Sequence, residues 1–149
     1  ADNFFQKYLY MGVFPMCPYP DNDHSIRPDS TVDGYYITYA PLLRLLHGRK
    51  WVLKPHVISV ENDLAKVNLF ATPGGFTIPV VYGKTSRVRI VIDEEKIKQY
   101  KKQGDLRYQA WYPDKNKAKT LSPVHKGNLT YLNVPLVRGC AMITATQQL

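Results

Sequence analysis

Arg87-Val88-Arg89-Ile90-Val91-Ile92 decides how this chain is read. Val88, Ile90 and Ile92 fall on one side of it, with Arg87 and Arg89 on the other. A period of two puts successive side chains on opposite faces, so the stretch is a half-buried strand. The same reading extends in both directions. Upstream, Phe76, Ile78, Val80 and Tyr82 alternate with Thr77, Pro79 and Val81. Pro79 has no N–H for a ladder and marks an edge strand or a bulge. Leu64–Phe70 sets Ala65, Val67 and Leu69 against Lys66 and Asn68, and Val57–Val60 is a short strand. Downstream, Leu106, Tyr108, Ala110 and Tyr112 alternate with Arg107, Gln109 and Trp111. Leu129–Val134 and Gly139–Thr146 close the series through Pro135. Pro73-Gly74-Gly75, Gly83-Lys84-Thr85 and Pro113-Asp114-Lys115-Asn116 supply turns. About seven strands at roughly ten-residue spacing predict a mainly β fold, an antiparallel β-sandwich over residues 51–149. Residues 93–105 interrupt the pattern as a short surface helix or extended loop, with Glu94 and Lys98 spaced for an i,i+4 pair.

The first fifty residues read differently. Residues 4–14 are apolar nearly all round, which predicts a helix buried against something. Pro15, Pro18 and Pro20 stop it, and 15–33 reads as a polar loop. Leu42, Leu43, Leu45 and Leu46 suit a second helix, with Asp33 as N-cap and Gly48 as stop. Pro41 either kinks that helix or begins it, leaving Tyr35–Ala40 extended. One or two helices thus precede the sandwich. Segment 1–50 reads as the end of a preceding domain, with the aromatics of 4–14 as its interface.

Composition bounds the function classes. With 44% hydrophobic and 21% charged residues the chain has the makings of a core, not of a disordered segment. The formal net charge of +8 raises the question of nucleic acid. The basic residues are spread, however, and no RRM, KH, zinc-finger or helix-turn-helix pattern accompanies them, so the charge reads as a solvated basic face. Two cysteines, Cys17 and Cys140, make no disulfide framework, and their pairing stays open. Cys140 lies in an apolar strand, where a small buried thiol is the plain reading. His24, His47, His56 and His125 are scattered without ligand spacing, so neither a metal nor another cofactor is expected. No stretch is long enough to span a membrane, and no secretory signal pattern is present.

Two constellations remain as candidate sites. Asp21-Asn22-Asp23-His24, with Arg27, Asp29 and Asp33 nearby, brings carboxylates and an imidazole into one loop. Paired carboxylates suit acid–base work or a hard cation, but the spacing is not that of an EF-hand, and turn chemistry accounts for Asp and Asn equally well. The second is the set of β-region aromatics, above all Trp111 and Tyr112, whose flat faces suit sugar rings. Alternation equally buries Tyr108 with Tyr112 or Trp111. Ser25, Ser59, Ser86 and Ser122 lack a G-x-S-x-G context, and no catalytic residue is assigned.

Leu64-Ala65-Lys66-Val67-Asn68-Leu69-Phe70 with Gly74–Gly83 resembles the C-terminal β-sandwich that follows the barrel in bacterial glycoside-hydrolase-like proteins. Ala110-Trp111-Tyr112-Pro113-Asp114 and Val134–Ala141 are similar to the closing strands of such domains. Tyr8–Pro15 with Asn22-Asp23-His24 resembles a final barrel loop and helix of the same proteins. The resemblance implies a non-catalytic accessory domain that packs on and stabilises an upstream catalytic domain, outside the cell or in the periplasm. Activity would belong to that upstream domain, and Asp23 and His24 would reach only the cleft rim. The alternative is an autonomous carbohydrate-binding module using surface Trp and Tyr side chains.

Overall fold

A computed structural model of the chain describes residues 2–15, 30–101 and 104–148. Asp21, Asp23, His24 and Cys17 lie outside the described residues. The order is α1 Asp2–Met11, α2 Ser30–Leu43, β1 Lys50–Trp51, β2 Ile58–Val60, β3 Lys66–Val67, β4 Phe70–Thr72, β5 Gly75–Val81, β6 Arg87–Asp93, α3 Glu94–Ile97, β7 Leu106–Trp111, β8 Lys119–Leu121, β9 Val124–Lys126, β10 Leu129–Pro135 and β11 Ala141–Gln147. One sheet runs β1-β4-β5-β11-β7-β8, with β3 also paired to β5, and the other runs β2-β6-β10-β9. Every pairing is antiparallel.

The chain is mainly β, as the alternation predicts, and its sheets share one core. Phe76, Ile78 and Val80 of β5, Val88, Ile90 and Ile92 of β6, Tyr108 and Ala110 of β7, and Leu132 and Val134 of β10 form a single buried cluster. Among the described residues there are more strands than the expected seven, because β1, β3, β8 and β9 have only two or three residues each.

The other face of the larger sheet is covered as well. Phe5, Leu9, Tyr39, Leu42 and Leu46 from the helical segment pack with Phe70, Val81 and Met142. Each of those five helical-segment side chains is at most 1% exposed. At roughly 1.5–3 kcal/mol per fully buried large apolar side chain, this face fastens α1 and α2 to the sheet. Double coverage explains why every residue of β5 is buried.

Pro79 therefore sits in a central strand, not at an edge. Its carbonyl accepts the Asn68 N–H at 3.2 Å, so its N–H-less side also faces the 66–72 segment. There the pairing breaks: Val67 pairs with Val80 and Phe70 with Thr77, and Asn68 and Leu69 between them form no ladder. The expected single strand over 64–70 becomes two for this reason. Asn68 repairs the break with its own side chain. Its Oδ1 accepts the Leu69 N–H at 2.8 Å, and its Nδ2 donates to the Tyr10 carbonyl at 2.9 Å.

α1 ends in a Schellman motif. Val13 N–H donates to the Tyr8 carbonyl and Gly12 N–H to the Leu9 carbonyl, both at 3.1 Å. Gly12 has φ 67, the left-handed conformation the motif requires. α2 starts at Ser30, so Asp33 lies in its first turn rather than capping it, and the helix runs through Pro41. The hydrogen bond that proline removes would have reached the Ile37 carbonyl, on the side where Ile37 is 77% exposed. α3 occupies the interruption, its N-cap Asp93 accepting the Glu95 N–H at 3.2 Å. Glu94 pairs with Lys101 at 3.3 Å, and Lys98 with Glu95.

Candidate functional site

A polar chain joins the helical layer to the loops at one end of the sandwich. It starts with Gln6, which shares the buried stripe of α1 with Phe5 and Leu9 and is 1% exposed. A buried amide must find partners for both ends. Gln6 Nε2 donates to the Arg138 carbonyl at 2.8 Å and to the Tyr39 hydroxyl oxygen at 3.1 Å. Its Oε1 accepts the Tyr82 N–H at 2.9 Å. The Tyr39 hydroxyl in turn donates to Asp2 Oδ1 at 2.6 Å.

Arg138 continues the chain outward. Val137 and Cys140 exchange both backbone hydrogen bonds at 3.0 Å, with Arg138 at φ 55 and Gly139 at φ 72 between them. Positive φ at both central residues is a type I′ turn. The turn presents the Arg138 guanidinium to two carboxylates, Asp2 at 3.0 Å from Nε and Asp114 at 2.9 Å from Nη1. Asp114 stands at φ 60 in the turn closed by Lys115 N–H on the Tyr112 carbonyl at 3.3 Å. Its Oδ1 accepts from the Thr38 hydroxyl at 2.8 Å. The hydrogen bond from Thr38, then the pairing with Arg138, hold its carboxyl below the usual range. Asp2, Gln6, Thr38 and Tyr39 come from the two helices, and Asp114 and Arg138 from the sandwich loops. The group's chemistry is adhesion: each member hydrogen-bonds or ion-pairs with at least one other, and Thr38 also bonds the Gly34 carbonyl at 2.8 Å.

A second group lies at α3. Thr130, fully buried, donates to Glu94 Oε1 at 2.6 Å and shares a hydrogen bond of 3.0 Å with His125 Nδ1. Lys101 Nζ donates to Glu94 Oε2 at 3.3 Å. Burial lifts the Glu94 carboxyl, but the Thr130 and Lys101 contacts outweigh it and leave its pKa lowered. A hydroxyl with no exposure is no nucleophile, so this trio ties α3 and β9 to β10. Among the described residues no group of three His, Cys, Asp or Glu side chains is placed to hold a metal ion.

The aromatic candidates divide. Trp111 is half-buried and its indole N–H donates to Thr144 Oγ1 at 3.0 Å. Tyr112 is 6% exposed, and its hydroxyl is buried without a partner. It stands at the wall of a cleft beyond β7, while Trp111 packs toward the helical layer. Asp21, Asp23 and His24 lie outside the described residues. The most exposed indole is that of Trp51 in β1, 54% exposed and edge-on to Phe70 at 5.1 Å.

The helical layer also has an outer face. Phe4 and Met11 are 43% and 41% exposed, and Phe4 lies 4.8 Å from the half-buried Tyr8 ring. Residues 4, 8 and 11 share one side of a helix, so α1 carries a second apolar stripe besides the one it buries. Ile37 and Pro41 of α2 are exposed too.

The signal for Gln6 was present in the sequence: one polar residue on an apolar stripe. Arg138 and Asp114 gave none, because their partners lie far away along the chain. Compared with known proteins, the chain matches no protein-family model and no curated protein sequence. Among the described residues no helix is long and apolar enough to cross a membrane.

Proposed function

We propose that this chain is a non-catalytic C-terminal accessory domain of a bacterial, glycoside-hydrolase-like carbohydrate-processing protein, packing on the catalytic domain and stabilising it. The second apolar stripe of α1 carries the reading. Phe5 and Leu9 already fasten the helix to its own sheet, while Phe4, Tyr8 and Met11 lie outside the core formed by the described residues. A helix apolar on two sides has two partners, and the second is the neighbouring domain. The polar chain through Arg138 then has a clear purpose, since it locks the docking helices to the sandwich behind them.

Two measurements test this. The isolated chain is expected to release no reducing sugar from a panel of glycans. In the parent polypeptide, Phe4→Ser with Met11→Ser is expected to lower the melting temperature of the catalytic domain. The same pair should move the stability of the isolated chain by no more than about 0.5 kcal/mol, the range of ordinary surface changes. Turnover by the isolated chain, or an unchanged melt of the parent, overturns the reading. Trp51 favours the alternative of a carbohydrate-binding module, because an exposed indole is a platform for a sugar face. Affinity electrophoresis on neutral polysaccharides separates the two: retardation that Trp51→Ala removes supports the module.

A further inference from the structure

We infer that the cleft beside Tyr112 binds a segment of a carboxylated polysaccharide, a polyuronate. The cleft measures ≈ 590 Å³, within the range of small-ligand sites, about 300–1,000 Å³. Tyr112, Pro135 and Val137 give it an apolar wall. The Tyr112 hydroxyl is sealed in the core, so what this residue offers the cleft is ring carbon. Lys115, Lys117 and Lys119 stand around that wall, all exposed and none ion-paired among the described residues.

The acidic residue at the cleft is Asp114, an ionised carboxylate that shares the Arg138 guanidinium with Asp2. Both of its oxygens are taken, one by Thr38 and one by Arg138. Two carboxylates sharing one guanidinium leave a single negative charge there, and the three lysine ammonium groups outnumber it, so the cleft is net positive. Lysine ammonium groups are mobile point charges that suit carboxylates repeating along a chain. The accessible part of that wall is Pro135 and Val137, both partly exposed, and their aliphatic surface suits the C–H face of a pyranose ring. Nucleic acid fits less well, because single strands are held by stacking bases on open aromatic faces, and the cleft's aromatic ring is closed at 6% exposure. This inference is independent of the docking face on α1 and α2, and its test leaves that face untouched.

The test is affinity electrophoresis and calorimetry of the whole chain with polygalacturonate, dextran and polyuridylate. Polygalacturonate is expected to retard the protein and dextran at the cleft is not. Lys115→Gln with Lys117→Gln and Lys119→Gln should weaken polygalacturonate binding roughly ten-fold. Lys50→Gln with Lys54→Gln and Lys84→Gln removes the same charge elsewhere and should leave it unchanged. Five of these six lysines are exposed and Lys54 is half-buried, and matched melting curves of both triple variants check folding. An equal loss in the two triple variants means diffuse charge attraction and overturns the inference. So does an absence of retardation by polygalacturonate, or tighter binding of polyuridylate that is lost with the cleft lysines.

Discussion

The Arg138 guanidinium lies 3.0 Å from the Asp2 carboxylate, joining the first helix to the turn before the last strand. The two residues stand 136 positions apart in sequence. Their side chains are 33% and 35% exposed, so solvent screens the pair. A coupling of roughly 0.5–1 kcal/mol is expected for a partly exposed, multiply bonded pair of this kind. A double-mutant cycle of Arg138→Gln and Asp2→Asn in urea measures it. A coupling of zero would remove the ion pair from the account of how α1 is held, leaving Phe5, Leu9 and the hydrogen bonds of Gln6.

Gln6 is expected to matter more than Arg138. Gln6→Ala removes partners from the Tyr82 N–H and the Arg138 carbonyl and leaves a hole beside Tyr39. Each unsatisfied buried polar group costs about 1–3 kcal/mol, so a loss of roughly 2–4 kcal/mol follows. Gln6→Glu keeps the shape and the acceptor but loses both donated hydrogen bonds. Chemical denaturation should rank the wild type above both variants. A Gln6→Ala loss under about 0.5 kcal/mol, the scale of a surface change, contradicts the network's role.

Asp114 gives stability an acid dependence with a definite sign. Its carboxyl is held below the usual range by Thr38 first and Arg138 second, so the folded pKa is lower than the unfolded one. The contribution is fully present above the ordinary carboxylate range and is lost as pH falls through the depressed folded value. Glu94, depressed by Thr130 and Lys101 against its own burial, acts in the same direction. Asp114→Asn is expected to flatten part of the acid limb of a melting-temperature profile and to change nothing in its alkaline part. An unchanged acid limb would show that the Asp114 contacts do not form in solution.

The longer strands were legible because period two survives at four residues or more. Val88, Ile90 and Ile92 point inward as their spacing says, and so do Tyr108 and Ala110. The short strands were not legible, since two or three residues such as Lys50–Trp51 have no period to read. Pro79 misled for a physical reason. A proline is tolerated in a central strand when the partner breaks opposite it, and Asn68 and Leu69 do so. The run over 76–81 did carry one further clue, as Thr77, Pro79 and Val81 are uncharged where a solvated face would hold charge. The helices cover that side. Of the candidate residues, Tyr112 was named for a flat face that the fold in fact buries to 6% exposure, and the lysines beside it read as part of a diffuse basic face. The cleft they border is completed by Pro135 and Val137, which come from later in the chain.

Gly12 combines two constraints that sequence shows only in part. The Schellman motif needs positive φ at this position, and Gly12 has φ 67. The Phe70 ring also lies against it. A Cβ built at Gly12 would stand 2.6 Å from Phe70 Cζ, inside any real contact distance. Phe70 cannot withdraw easily, since it is fully buried and edge-on to Trp51 at 5.1 Å. Gly12→Ala thus meets both a backbone penalty of about 1–2 kcal/mol and an overpacking penalty of about 1–3 kcal/mol. Asn, which tolerates the left-handed region, escapes much of the first penalty but not the second. Phe70→Leu in the Gly12→Ala background relieves the clash at the expense of core volume. Thermal unfolding of the single and double variants is expected to show partial recovery in the double. Strict additivity of the two losses would mean that the ring and the glycine do not touch.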